Sequence, residues 1–304
     1  GHDVSSGRFG FEHDASCTTF TNLDCQATAF RENFGPQHYE DRTWYGGASP
    51  SEISSYQRVS AEGMDLLFLH LPQDPPRAEV EWAKEVLDAN PGVLAHLTTH
   101  RYLFDYRLTE VMPRPLNILP SGRFNAATYT LGGQSLKYRT SLSADQLFEE
   151  VVEAHPNVWS VHCGHVDAEF RQRSTNAAGL PVYEILADFQ DMADGGGGWL
   201  RVFVYRPGLD RVDVATFSTV TGELRANGDG LDHSIDILES YAHEAASFLR
   251  PFGLDEAEVA RLLAELRSPT ELRETYRASL YDAGRRDSRF WLPVDFDAYI
   301  DASR

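Results

Sequence analysis

The sequence predicts an α/β fold. Three observations carry that expectation. Between Asp65 and Phe217, short apolar runs alternate with segments of helical period. Proline, asparagine and capping signals punctuate the alternation. Two of the apolar runs end in histidines, and layered α/β proteins gather their ligand-binding groups at such strand ends.

Taken in order, "DLLFLHL" (65–71) is a continuous apolar run, as expected for a strand covered on both faces. In "PPRAEVEWAKEVLDAN", Pro75 and Pro76 give a helix start and Val80, Ala83 and Leu87 share one face; Asn90-Pro91-Gly92 stops it. "VLAHLTTH" (93–100) is the next strand. Ser143 and Gln146 form a capping box for a helix to about Ala154, stopped by His155-Pro156, and "NVWSVH" (157–162) comes next as a third strand. "VYEILADF" (182–189), "WLRVFVY" (199–205) and "RVDVATF" (211–217) read as strands, the last two joined as a hairpin by "RPGLD". The glycines of "ADGGGGW" (193–199) open no helix, so a flexible turn or a close backbone approach to a ligand is expected there. After Ser218 three helical patterns succeed one another, and 231–286 is expected to form a helical insertion or cap. "RFWLPVDFDAYI" (289–300) reads as a strand returning to the main body, within a final segment 287–304.

The chain of 304 residues, 42% hydrophobic, is long enough for one full core and a second small one. No run of 18 apolar residues occurs, so no membrane span is expected, and no start resembling a signal peptide is seen. A formal charge of −19 argues against a nucleic-acid-binding surface. It does not exclude a small phosphate substrate, because metal ions can supply local positive charge. Three cysteines make no disulfide framework; Cys17 and Cys25 either pair or remain two small unpaired side chains, which leaves the compartment open. Gly1 in place of Met leads to the expectation of a processed, engineered or truncated chain.

The chemistry concentrates in "NVWSVHCGHVDAEF" (157–170), where His162, Cys163, His165 and Asp167 come after an apolar run, and in His100 at the end of the strand before it. Two strand ends that carry imidazoles and a carboxylate suggest a shared site for Zn, Mn, Fe or a similar ion. His70 and His96 read as satisfied core histidines, and His162 as a neighbour supporting the ligands. A structural zinc on His162, Cys163 and His165 is disfavoured by the tight spacing. Arg101 reads either as a phosphate contact or as a solvated surface residue. No Gly-x-Ser-x-Gly elbow occurs, and Cys163 reads as a structural thiol.

"LTTHRYL" succeeded by "NVWSVHCGHVDAEF" resembles the calcineurin-like metallophosphoesterases, in which a strand ending in a ligand histidine precedes a Gly-His-x-His motif. The segment "VYEILADFQDMADGGGGWLRVFVY" looks like the stretch after that motif in secreted-type bacterial members, while "GHDV", "FRENFGP" and "RTWYGG" look like the Gly-Asn-His-Asp motif and its sequel. The resemblance spans about residues 1–220, within an expected core domain of 1–230. It implies an α-β-β-α sandwich of two mixed sheets, of which this chain, lacking the N-terminal part, would supply the second. It implies a hydrolase of phosphomonoesters or phosphodiesters that uses a metal-bound hydroxide between two divalent ions, and a secreted or periplasmic location. By resemblance His100 and His165 would bind one metal, Asp167 would reach the other, His2 would protonate the leaving group and Asp3 would orient His2.

The departures are specific. Asp167 stands where the family has His, and Gly1 where it has a ligand Asn. The Asp-x-His and Gly-Asp-x-x-Asp motifs that should come first do not precede Gly1, and "GDGLD" (228–232) reads as a chance loop. The expectation is therefore half of a dinuclear site, weakly active or inactive by itself. A non-catalytic module holding a single metal, with 231–286 as a partner surface, is the alternative.

Overall fold

The computed structural model describes residues 27–103, 122–124, 141–165, 169–190, 192–225, 257 and 288–304. Apart from residue 257, the cap at 231–286 lies outside them, as do "GDGLD", Cys17, Cys25, His2, Asp3 and Asp167. The protein is α/β. A mixed seven-stranded sheet runs in the order β1-β2-β3-β4-β5-β7-β6, and a separate three-stranded sheet runs β10-β9-β8. The strands are β1 (Tyr45–Ala48), β2 (Ser55–Ala61), β3 (Met64–His70), β4 (Leu94–Arg101), β5 (Val158–Gly164), β6 (Glu169–Thr175), β7 (Pro181–Ala187), β8 (Trp199–Arg206), β9 (Arg211–Ser218) and β10 (Arg289–Pro293). In the large sheet β3, β4, β5 and β7 are parallel neighbours, with antiparallel strands at both edges.

The continuous apolar runs are explained by burial on both faces. In β3, Leu67 and Leu69 enter one core while Leu66 enters another. The first core is covered by two helical segments. Helix α2 (Arg77–Asp88) contributes Val80, Ala83 and Leu87; α3 (Ala144–Leu147) and the π turn after it contribute Leu147, Val151 and Val152. The second core lies between the sheets, where Leu94, Trp159 and Ile185 meet Val212, Val214, Phe290 and Leu292.

Local signals account for most boundaries. Asn90 ends α2 by donating from Nδ2 to the Val86 carbonyl at 2.7 Å. The Ser143–Gln146 capping box is formed in full. Helix α1 (Thr28–Phe34) precedes the first strand. Buried Glu169 of β6 accepts from Arg201 of β8, Arg225, Thr216 and Ser288, which joins the second sheet to the first through a fully paired carboxylate.

Four expectations change. The second sheet is antiparallel among the described residues rather than mixed, because the hairpin at Pro207–Leu209 reverses the chain and β10 runs against β9. The chain supplies strands to both sheets rather than to the second one alone. Residues 289–300 are not one strand. After Pro293 the Asp295 carboxylate caps helix α4 (Phe296–Ser303) by accepting from the Ala298 N–H at 3.0 Å, and Phe296 and Tyr299 enter the second core. The glycine loop makes one helical turn broken by left-handed Asp194 and Gly195. The approach there is to the protein's own backbone, since a Cβ on Gly196 would sit 2.9 Å from the Phe189 carbonyl oxygen. Among the described residues no helix is long and apolar enough to cross a membrane.

Candidate functional site

Three successive parallel strands converge at their carboxyl ends. β4 brings His100, β5 leads into His165, and β7 leads into Asp188. Parallel neighbours end side by side, and the pairing of Arg101 with Gly164 sets the level. The result is a half-buried histidine pair with His165 Nδ1 and His100 Nε2 3.1 Å apart and ring centroids 4.9 Å apart at 68°.

Backbone geometry explains the glycine before His165. His165 has φ +77°, a left-handed conformation uncommon for a residue with a Cβ. Asp188 holds it there: Oδ2 accepts from the His165 N–H at 2.6 Å and Oδ1 accepts from the Gln190 N–H at 2.9 Å. That carboxylate lies so close that a Cβ on residue 164 would stand 3.0 Å from it, so Gly164 is the residue that admits the clamp. Sequence spacing does not single out Asp188. Its one signal is a carboxylate directly after the apolar run "VYEILA", and the convergence of three strand ends is not displayed in one dimension.

The donor geometry fits a shared cation. With metal–nitrogen distances of about 2.1 Å, two adjacent ligands of one ion have nitrogens separated by roughly 3.0 to 3.4 Å, and the observed 3.1 Å lies in that span. Without an ion, one ring donates an N–H to the other. Among the described residues no group of three or more His, Cys, Asp or Glu side chains that could hold a metal is gathered, and Asp167 lies outside them.

His162 belongs to a different cluster. It pairs in register with Thr98 and with Ile185, and its Nε2 lies 3.0 Å from Ser160 Oγ and 3.3 Å from His96 Nδ1. His96, 3% exposed, stacks on Phe68 and accepts at Nε2 from the Trp159 indole at 3.2 Å and from the Tyr205 hydroxyl. Its proton therefore sits on Nδ1, facing Ser160 Oγ at 2.6 Å. Burial and the Arg201 charge lower the His162 pKa to about 4, and burial with His162 and His70 nearby lowers that of His96 well below its ordinary value. Both are neutral core groups.

Arg101 is neither solvated nor at the surface. It is buried and forms a two-pronged ion pair with buried Asp74, which removes the surface reading. Cys163 is buried against the Ile185 carbonyl with its thiol pKa pushed up by desolvation, which suits packing rather than nucleophilic attack. His70 donates to Gln57 Oε1 across 2.6 Å and is half-buried; burial lowers its pKa.

No family model matches the chain. It is 26% identical over 196 residues to the uncharacterized protein YvnB of Bacillus subtilis (strain 168). The match takes in 62% of this chain and 13% of that protein, so the chain spans a small part of its relative's length.

Proposed function

We propose that the protein is a metal-dependent phosphoester hydrolase of the calcineurin-like metallophosphoesterase type, with His100 and His165 as ligands of a divalent ion. The observation that carries the reading is the imidazole pair at 3.1 Å on the carboxyl ends of adjacent parallel strands. Two sheets packed face to face around a shared core support the sandwich that goes with it. Asp167 is assigned to a second ion, and Mn, Fe and Zn all suit imidazole with carboxylate.

The bound ions would supply activation of water and neutralisation of phosphoryl charge. The chain's own contribution is positional. β4 and β5 present the two rings edge to face, and Asp188 fixes the backbone of His165 so that Nδ1 points at His100. His2, oriented by Asp3, is assigned the proton delivered to the departing oxygen.

The test is elemental analysis of the purified chain after incubation with Mn or Zn, alongside His165→Ala and hydrolysis of p-nitrophenyl phosphate. Metal that is bound by the parent and lost in the variant, with hydrolysis lost in parallel, supports the reading. Hydrolysis that survives His165→Ala sinks it. Metal bound through His165 without hydrolysis under any metal condition favours a single-metal binding module instead.

A further inference from the structure

A second cleft opens at the same end of the large sheet as the histidine pair. Residues paired in register point to one side, so Tyr45, Gln57 and Phe68 share a face, as do Ser55, His70 and Thr98. His100 lies two residues beyond Thr98 on β4. From strand spacing and rise, its Cα is about 8 Å from that of His70. His70 lines the cleft and so brings its edge near the strand end that carries His100.

The cleft has a volume of about 460 Å³, in the range of organic-ligand pockets and far larger than a phosphate requires. Its lining is aromatic. Tyr39, Trp44 and Tyr45 pack with ring centroids 6.0 to 6.4 Å apart, and α1 adds Phe30 and Phe34. Trp44 is 40% exposed and Phe34 55%, an unusual concentration of uncovered ring surface on a chain with so acidic a balance. The polar groups are few and of one kind. Among the described residues Glu52 is the acidic lining group, and no Lys or Arg lines the cleft, so it is not a second phosphate site. Glu52 and Glu40 lie near enough to add to burial in raising the Tyr45 pKa. Gln57 Nε2 reaches Ser55 Oγ only at 3.4 Å.

Stacking surface combined with a carboxylate acceptor matches a heteroaromatic ring that carries N–H donors at its edge, as carboxylates accept from amino groups of bases. We propose that this cleft receives the alcohol part of the phosphoester, a nucleoside whose base stacks on the Trp44 ring, which stands at 82° to Tyr45, and donates to Glu52. The assignment rests on the hydrolase reading above for the phosphate, but the cleft can be tested without it.

Titrate the full chain, stripped of metal by chelator, with adenosine and with cytidine, which lack phosphate. Binding is expected for both. Trp44→Ala should weaken it about tenfold or more; Glu52→Gln should weaken it less, and His165→Ala should leave it unchanged. Absence of nucleoside binding overturns the proposal, as does binding indifferent to both Trp44→Ala and Glu52→Gln. Preferential binding of choline also overturns it, by making the cleft a cage for organic cations. Nucleoside binding without any metal uptake would fail the hydrolase reading alone, whereas metal uptake without nucleoside binding would fail this one alone.

Discussion

Strand β4 carries His96 and His100, β5 carries His162 and leads into His165, and the two pairs they form have opposite characters. In the inner pair His96 is buried and His162 half-buried, the two packing against Tyr205 and Phe203 of the second sheet, and both ring nitrogens of His96 have partners. The outer pair, His100 and His165, stands at the sheet's carboxyl end, half-buried, with ring nitrogens directed at each other. The same side chain on β4 is core at His96 and half-buried at His100. What separates the two places is cover: β8 lies over the first, and the second stands where the strands run out.

Substitution should separate the two pairs. The largest effect should come from His100→Ala or His165→Ala, which should abolish uptake of Mn or Zn in elemental analysis while shifting Tm little, because both residues are half-buried. His96→Ala should do the reverse. It should lower unfolding free energy by about 3 kcal/mol in urea melts, from a cavity and orphaned Trp159 and Tyr205 donors, and leave metal uptake intact. If either variant shows both effects at once, the pairs are one unit and the distinction fails.

Next in size, Asp188→Ala should weaken metal affinity about 10- to 100-fold, as loss of a group that orients a ligand does. Asp188→Asn, which keeps an acceptor oxygen, should recover much of it. Acid should then report on the inner pair. Its folded-state pKa values lie below the unfolded histidine value of 6.5, with His162 at about 4. The unfolded chain therefore binds protons first as pH falls. Stability is complete above the unfolded value and declines between about pH 6.5 and 4, by roughly 1.4 kcal/mol per pH unit for each histidine titrating. Urea melts across that window should flatten in His162→Phe. The smallest effect is expected from Gly164→Ala, which must displace the Asp188 carboxylate by a few tenths of an ångström and should loosen metal binding several-fold in the same titration.

Legibility in the sequence tracks burial. β3, β4, β5 and β7 are apolar on both faces and announce themselves as runs. β2 ("SYQRVSA") and β6 ("EFRQRST") lie near or at the sheet's edges with polar residues on an exposed side, and β1 ("YGGA") is short and glycine-rich, so none of the three stands out. Helix α4 is hidden because Phe296 and Tyr299, three apart on a helix, come directly after strand-like Phe290 and Leu292. The histidines of the site are legible because each ends an apolar run. Asp188 is not, because its partner His165 is 23 residues away in sequence, and the burial of Arg101 requires knowing that Asp74 sits beneath it.

β9 and β10 pair residue for residue although roughly seventy residues separate Ser218 from Arg289. Loop closure makes so long an excursion cheap at equilibrium, about 0.6 kcal/mol per doubling of length. In time it is not cheap. At about 5 to 20 residues per second on the ribosome, several seconds pass between the appearance of β9 and that of β10. Through that interval Leu94, Trp159 and Val214 lack Phe290, Leu292, Phe296 and Tyr299, the residues that close their core. The nascent chain must therefore carry an open apolar seam between its two sheets until those residues emerge, and that seam is where a chaperone would be expected to bind.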